Sequence, residues 1–169
     1  MTTTYPPTII IVHDRERREK CSVEPLRGRP DITFHRYPIR ESIETTGYIK
    51  LALDGIPLSM DDAPRGLLLL DATWRLAAKM DQTFQNVEQR TLPAWKTAYP
   101  RQSKVSPDPM QGLATVEALY LAYRILNRPV DGLLAHYHWR DRFLELNEAS
   151  PSFRSPVPSR DKWENPPPG

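Results

Sequence analysis

A run of four leucines that ends in an aspartate is the stretch of this chain best suited to chemistry. Leu67 to Leu70 run directly into Asp71, and Trp74 follows three residues later. A short continuous apolar run predicts a strand buried on both faces, and ligands of α/β proteins bind at the carboxyl ends of such strands. The pattern therefore predicts a carboxylate and an indole close together at a strand-to-helix turn. The alternative is that Asp71 only caps a helix and Trp74 only fills the core.

Other polar residues offer weaker signals. Thr115 opens an apolar segment that predicts a buried helix over 114–127, where free N–H groups favour an anionic ligand; a simple cap is the alternative. Cys21 has no histidine close in sequence, so we interpret it as a buried thiol. The seven glycines stand singly and form no phosphate-binding loop, and four histidines with one cysteine show no metal-ligand spacing. We therefore expect no metal site.

The elements that must position these residues follow from hydrophobic periodicity. β-Branched and alternating patterns predict strands, and apolar residues at helical spacing predict helices. A charged segment, 14–22, is either a solvated face or a rim facing phosphates. The predicted strands are Thr8–His13, Ile32–Tyr37, Gly47–Leu53 with a hairpin-type turn at Asp54-Gly55, and 66–71. An edge or loop piece spans Arg90–Trp95. Helices span Trp74–Phe84, with Thr73 as N-cap, and 114–127, and a final amphipathic helix or helix pair spans 133–148.

Composition limits the class of protein. The chain has 169 residues, 39% hydrophobic and 26% charged, so it is long enough to form a hydrophobic core. Its net charge of +2 neither requires nor excludes binding to nucleic acid. No apolar run approaches a membrane span, and the polar start and single cysteine favour a reducing, cytoplasmic compartment. We predict an α/β fold with a small β-rich lobe over 1–65, an α/β lobe over 66–149 and a proline-rich, disordered tail over 150–169.

Six segments, in order along residues 8–148, resemble the aminocarboxypropyltransferase superfamily. That group includes DTW-domain tRNA enzymes and ribosome-biogenesis enzymes that modify small-subunit rRNA. The Asp-x-Thr/Ser-Trp motif appears as Asp71-Ala72-Thr73-Trp74. The other segments are similar to the rRNA branch: Lys20-Cys21-Ser22, Leu58-Ser59-x-x-Asp62, Arg90-Thr91-Leu92-Pro93, Leu113-Ala114-Thr115-Val116-Glu117-Ala118-Leu119, and Trp139 with Phe143-Leu144-Glu145-Leu146-Asn147.

The resemblance implies a SPOUT-like, knotted α/β lobe and an enzyme that uses S-adenosylmethionine (SAM). Such an enzyme transfers the 3-amino-3-carboxypropyl (acp) group to a uridine-type nitrogen of RNA, with rRNA favoured over tRNA. Asp71 would stabilise the sulfonium or take the acceptor proton, while Trp74 and Ala77 would block the methyl group. The cofactor-binding residues implied are Ser22, Leu70, Asp71, Trp74, Ala77, Leu92 and Thr115, and the RNA-binding residues are Lys20 and Arg90.

Alternative functions remain at this point. A SPOUT-like methyltransferase would hold the same cofactor turned so that the methyl faces the base. A tRNA acp-transferase would use the same chemistry on another RNA. A ribosome-assembly factor would bind SAM or RNA without catalysis. In each case we expect a monomer without membrane association.

Overall fold

In a computed structural model, residues 5–15, 21–72, 74–100, 113–150 and 153 are described, without the side chains of Trp74 and Arg75. The described strands form one five-stranded sheet in the order β2-β1-β4-β3-β5, and every neighbouring pair is parallel. The strands are β1 (Thr8–His13), β2 (Ile32–Tyr37), β3 (Tyr48–Pro57), β4 (Gly66–Asp71) and β5 (Glu88–Thr91); the helices are α1 (Trp74–Thr83), α2 (Thr115–Ile125) and α3 (Arg140–Asn147), with 3-10 turns at Glu24–Leu26 and Met60–Asp62.

The leucine run forms β4, a strand buried on both faces as predicted, and β4 is the central strand of the sheet. Leu67, Leu68 and Leu69 are buried because helices cover both faces. Met80 of α1 belongs to the apolar cluster on the Leu68 face. Leu119 of α2 belongs to the cluster that contains Leu67 and Leu69. Side chains alternate across a strand, so this continuous apolar run fills two cores at once.

Gly66 allows β4 to begin close to β3. A Cβ atom at this position would overlap the ring of Tyr48, with which Gly66 is in register. Because Gly66 has no side chain, β4 can pair with β3 at the position where the Tyr48 ring lies against the Gly66 backbone.

The predicted hairpin-type turn at Asp54-Gly55 is wrong. β3 continues to Pro57 and pairs in parallel with β5, with an irregularity between Leu51 and Ile56. Gly55 has φ +125°, and a Cβ there would lie 3.0 Å from the carbonyl oxygen of Gln89. Gly55 therefore lies in a bulge of β3 that passes close to β5. Only a residue without a side chain readily adopts this backbone conformation.

The predicted final helix is shorter than its apolar pattern indicates. Residues 131–136 form turns, and α3 begins only at Arg140. Thr115 stands at the start of α2 as predicted. Phe153, within the predicted tail, stacks on Trp95 with ring centroids 5.7 Å apart. The rest of the tail, the loop 101–112, Thr73 and Lys20 lie outside the described residues.

The sheet crosses the predicted lobe boundary at residue 65. β4 lies between β1 and β3 and pairs with both, so strands from the two sides of that boundary share backbone hydrogen bonds. The division into two lobes stays a prediction, and any such lobes would share this sheet.

Candidate active site at the carboxyl edge of the sheet

Three chain segments meet where β4 ends. Asp71 is the last residue of β4, Cys21 lies in the connection after β1, and Thr115 is the first residue of α2. Asp71 is 50 residues from Cys21 and 44 from Thr115 along the chain. Because β1 and β4 are parallel neighbours, the connections that follow them leave the same edge of the sheet.

The Asp71 carboxylate accepts a hydrogen bond on each oxygen. The thiol of Cys21 donates to Oδ2 at 2.9 Å, and the hydroxyl of Thr115 donates to Oδ1 at 2.6 Å. Asp71 is 8% exposed. The two hydrogen bonds hold the carboxylate in one orientation. Because each oxygen has a second lone pair, the group can still accept further hydrogen bonds.

Cys21 acts as a hydrogen-bond donor and not as a thiolate. Burial, together with the charge and hydrogen bond of Asp71, raises the pKa of its thiol from 9.0 to about 12. Both causes disfavour a second negative charge beside the carboxylate. The interpretation of Cys21 as a buried thiol without a nucleophilic role is consistent with this environment.

Ser22 lies beside the start of α2. Its Oγ accepts a hydrogen bond from the backbone N–H of Val116 at 3.2 Å, which satisfies one of the unpaired amide groups at a helix start. Ser22 and Cys21 therefore fasten the connection after β1 to two parts of the same site.

A cleft of about 770 Å³ opens beside Asp71. Four of the predicted cofactor residues line it: Leu70, Ala77, Leu92 and Thr115. Its walls are otherwise small or apolar, apart from a few polar and acidic side chains. The full lining is Leu51–Asp54, Leu69, Leu70, Ala72, Ala77, Ala78, Asp81, Gln89, Thr91–Trp95, Leu113, Thr115 and Ala118.

Two buried residues that sequence reasoning left without a role support the walls of the cleft. Lys50 is 1% exposed, and its Nζ lies 2.5 Å from Oδ1 of Asp81, which lines the cleft on α1. Glu117 is fully buried and accepts hydrogen bonds from the hydroxyl of Thr97 and the backbone N–H of Ala98. The signal in the sequence was one charged residue within an otherwise apolar strand or helix pattern. Such a residue is expected to be buried with partners.

Glu117 also accepts from the backbone N–H of Ala114 at 2.8 Å, three residues earlier. This is the glutamate half of a capping box, and it joins the start of α2 to the chain that follows β5. The Ala-x-x-Glu spacing of the resemblance segment therefore has a structural reason.

Arg90 lies in a buried ion-pair network. Its Nε is 3.2 Å from both oxygens of Asp62, and its Nη2 is 2.9 Å from Glu88. The side chains of Arg90 and Asp62 are 6% and 2% exposed. The guanidinium thus joins β5 to the 3-10 turn before β4, and a phosphate contact by Arg90 would compete with Asp62.

The remaining predicted residues lie partly beyond the described chain. Trp74 opens α1, but its side chain is outside the described part of the structure, as is the whole of Lys20. Within residues 5–15, 21–72, 74–100 and 113–150, no group of three histidine, cysteine or acidic side chains could hold a metal ion. No helix in these ranges is long and apolar enough to cross a membrane.

The fold and the site define a parallel α/β protein with a ligand cleft at the carboxyl ends of its central strands. No protein-family model matches the chain, and no curated protein matches it. The solved structure of the SAM-dependent rRNA:acp-transferase Tsr3 from Vulcanisaeta distributa does match, with a TM-score of 0.62 and 21% sequence identity. The match covers 84% of this chain and 79% of that one. It confirms the α/β fold expected from the sequence resemblance.

Proposed function

We propose that this protein transfers the acp group from SAM to a uridine-type base of RNA, with rRNA as the favoured substrate. The observation that carries the proposal is Asp71, held between Cys21 and Thr115 beside a cleft of about 770 Å³. The fold is shared with a structure described as a SAM-dependent rRNA:acp-transferase.

The chemistry of the cleft fits SAM. Alanine and leucine side chains give an apolar surface for the adenine, and the exposed carboxylate of Asp54 in the lining supplies negative charge near a molecule with a sulfonium and an ammonium group. A mostly apolar cleft with a few placed polar groups is typical of small-molecule sites. When bound, SAM supplies an electrophilic γ-carbon, and methylthioadenosine leaves as the base nitrogen attacks it.

Each cofactor residue that the resemblance implies has a proposed task, and those of Trp74 and Ser22 rest on the resemblance alone. Ala77 and Trp74 restrict the space around the methyl group, so that the γ-carbon and not the methyl faces the base. Leu92 holds the adenine through its backbone, and Thr115 and Ser22 hold the amino-acid and ribose parts. The hydroxyls of Thr115 and Ser22 can each form a further hydrogen bond to the cofactor in addition to the contact already described.

For Asp71 we favour an electrostatic role over that of a base. Two donors fix the carboxylate before any substrate binds, and its negative charge stabilises the positive charge that passes to the acceptor nitrogen as the sulfonium is neutralised. As the acceptor nitrogen attacks, Asp71 would remain ionised and the base proton would leave to solvent.

The RNA side of the proposal depends on other residues. We retain Lys20 as a phosphate contact, whereas the buried ion pairs of Arg90 favour a positioning role for that residue. We also propose a knotted SPOUT-like arrangement of the α/β part, a monomer, and a cytoplasmic site of action.

Nucleoside mass spectrometry on a strain that lacks the gene tests the proposal. Small-subunit rRNA from that strain should lose one acp-modified nucleoside, and a plasmid copy should restore it. Loss of the acp group from tRNA would instead support the tRNA alternative, and loss of a methylated nucleoside would support the methyltransferase.

A further inference from the structure

A second, smaller cleft opens at the same edge of the sheet, where β2 ends. Its volume is about 450 Å³, and it lies between Asp14 after β1 and the chain that leaves β2. The backbone N–H of Asp14 donates to the carbonyl of Tyr37 at 3.0 Å, so the pairing of β1 and β2 extends to this point. We call it the β2-end cleft.

One residue of the β2-end cleft, Arg36, is aligned with Asp71 across the sheet. Arg36, which lines the cleft, is in register with Val12 on β1, and Val12 is in register with Asp71 on β4. Paired residues of a sheet direct their side chains to the same face, and two strand spacings place the Arg36 and Asp71 backbones about 10 Å apart. A nucleotide next to a base at Asp71 can span this distance.

Two exposed arginines give the cleft its cationic side. Arg36 and Arg40 line it, and neither has an ion pair within the described part of the chain, whereas Arg29, Arg65 and Arg90 all do. The guanidinium fork of arginine matches phosphate oxygens, and exposed guanidinium groups without a carboxylate partner can bind phosphate without first breaking an ion pair.

The same cleft contains acceptors and apolar surface. Asp14 lies 3.1 Å from Nδ1 of His13, and Glu41 lies 3.7 Å from Nδ1 of His35. Half-buried Ile39 also lines the cleft. Carboxylates repel a bare phosphate but accept hydrogen bonds from the amino groups of bases, so the combination suits a whole nucleotide.

We propose that the β2-end cleft binds a nucleotide of the RNA strand that flanks the modified base. Arg36 and Arg40 bind its phosphate, and Asp14 and Glu41 face its base. The assignment rests on the proposed function in one respect, since the target base is taken to lie at Asp71.

Filter binding of end-labelled, deproteinised small-subunit rRNA, without SAM, tests the cleft over a series of salt concentrations. The variant is Arg36→Ala with Arg40→Ala. The control is Arg140→Ala with Arg142→Ala, which removes two exposed arginines from α3. Because the variant loses the contact to one phosphate, its slope of log affinity against log salt should fall by about 0.7, while the slope of the control stays unchanged.

Several results would overturn the proposal: wild-type affinity and slope in the variant, equal weakening in variant and control, or no RNA binding by the wild-type protein. Thermal melting shows whether both variants fold. Failure of the acp-transfer proposal appears separately, as absence of methylthioadenosine with SAM and RNA, because this binding assay needs no turnover.

Discussion

The thiol of Cys21 donates to Oδ2 of Asp71, with sulfur and oxygen 2.9 Å apart. This contact joins the connection after β1 to the end of the central strand. It also gives the single cysteine of the chain a defined task, because a protonated thiol beside a carboxylate orients that carboxylate.

We predict that Cys21 resists alkylation in the folded protein. Its pKa of about 12, against an ordinary 9.0, keeps the thiol protonated, and only the thiolate is nucleophilic. At pH 9 an ordinary thiol is half ionised, whereas roughly one Cys21 in a thousand would be. Iodoacetamide labelling followed by mass spectrometry should be slow in buffer and fast in denaturant. Equal rates in both would contradict the buried hydrogen bond.

Asp71→Asn should retain SAM binding and lose turnover. The amide keeps the size of the side chain and removes the charge, so kcat should fall roughly 100- to 1,000-fold. Calorimetry with SAM and single-turnover assays measure the two effects. Asp141→Asn, an exposed change on α3, is the matched control. A variant that turns over at the wild-type rate would remove Asp71 from the chemistry.

Ala77→Leu should weaken SAM binding by about 5- to 150-fold, since a larger side chain in a fitted cleft costs about 1–3 kcal/mol. Ala77 lines the cleft from α1. Gln82→Leu adds a leucine to the exposed side of the same helix and should bind SAM normally. Titration calorimetry compares them, and equal affinities would place the cofactor elsewhere.

Arg90→Ala should destabilise the fold by about 3 kcal/mol, because it removes the guanidinium that balances the charge of the buried Asp62 carboxylate. Arg65→Ala removes a more exposed partner of Glu88 and should cost about 1 kcal/mol or less. Urea unfolding measures both. A stable Arg90→Ala variant with a reduced salt dependence of RNA binding would restore the phosphate role predicted from the sequence.

The sequence predicted what periodicity controls. The leucine run indicated a strand buried on both faces, the aspartate was expected at the end of that strand, and Thr115 was correctly placed at a helix start. These features depend on neighbours in the chain, for which spacing is direct evidence.

Contacts between distant segments could not be predicted in the same way. No local pattern indicated that Cys21 and Thr115 would meet on Asp71, that Lys50 would reach Asp81, or that Arg90 would be buried against Asp62. The hairpin turn predicted at Asp54-Gly55 was wrong because a glycine with positive φ occurs in bulges as well as in hairpin turns.

We propose above all that the site directs the γ-carbon of SAM, and not its methyl group, at the base. Purified protein incubated with carboxyl-labelled SAM and rRNA from a strain that lacks the gene tests this directly. Label should enter the RNA while methylthioadenosine accumulates in equal amount. Unlabelled RNA together with S-adenosylhomocysteine would contradict it.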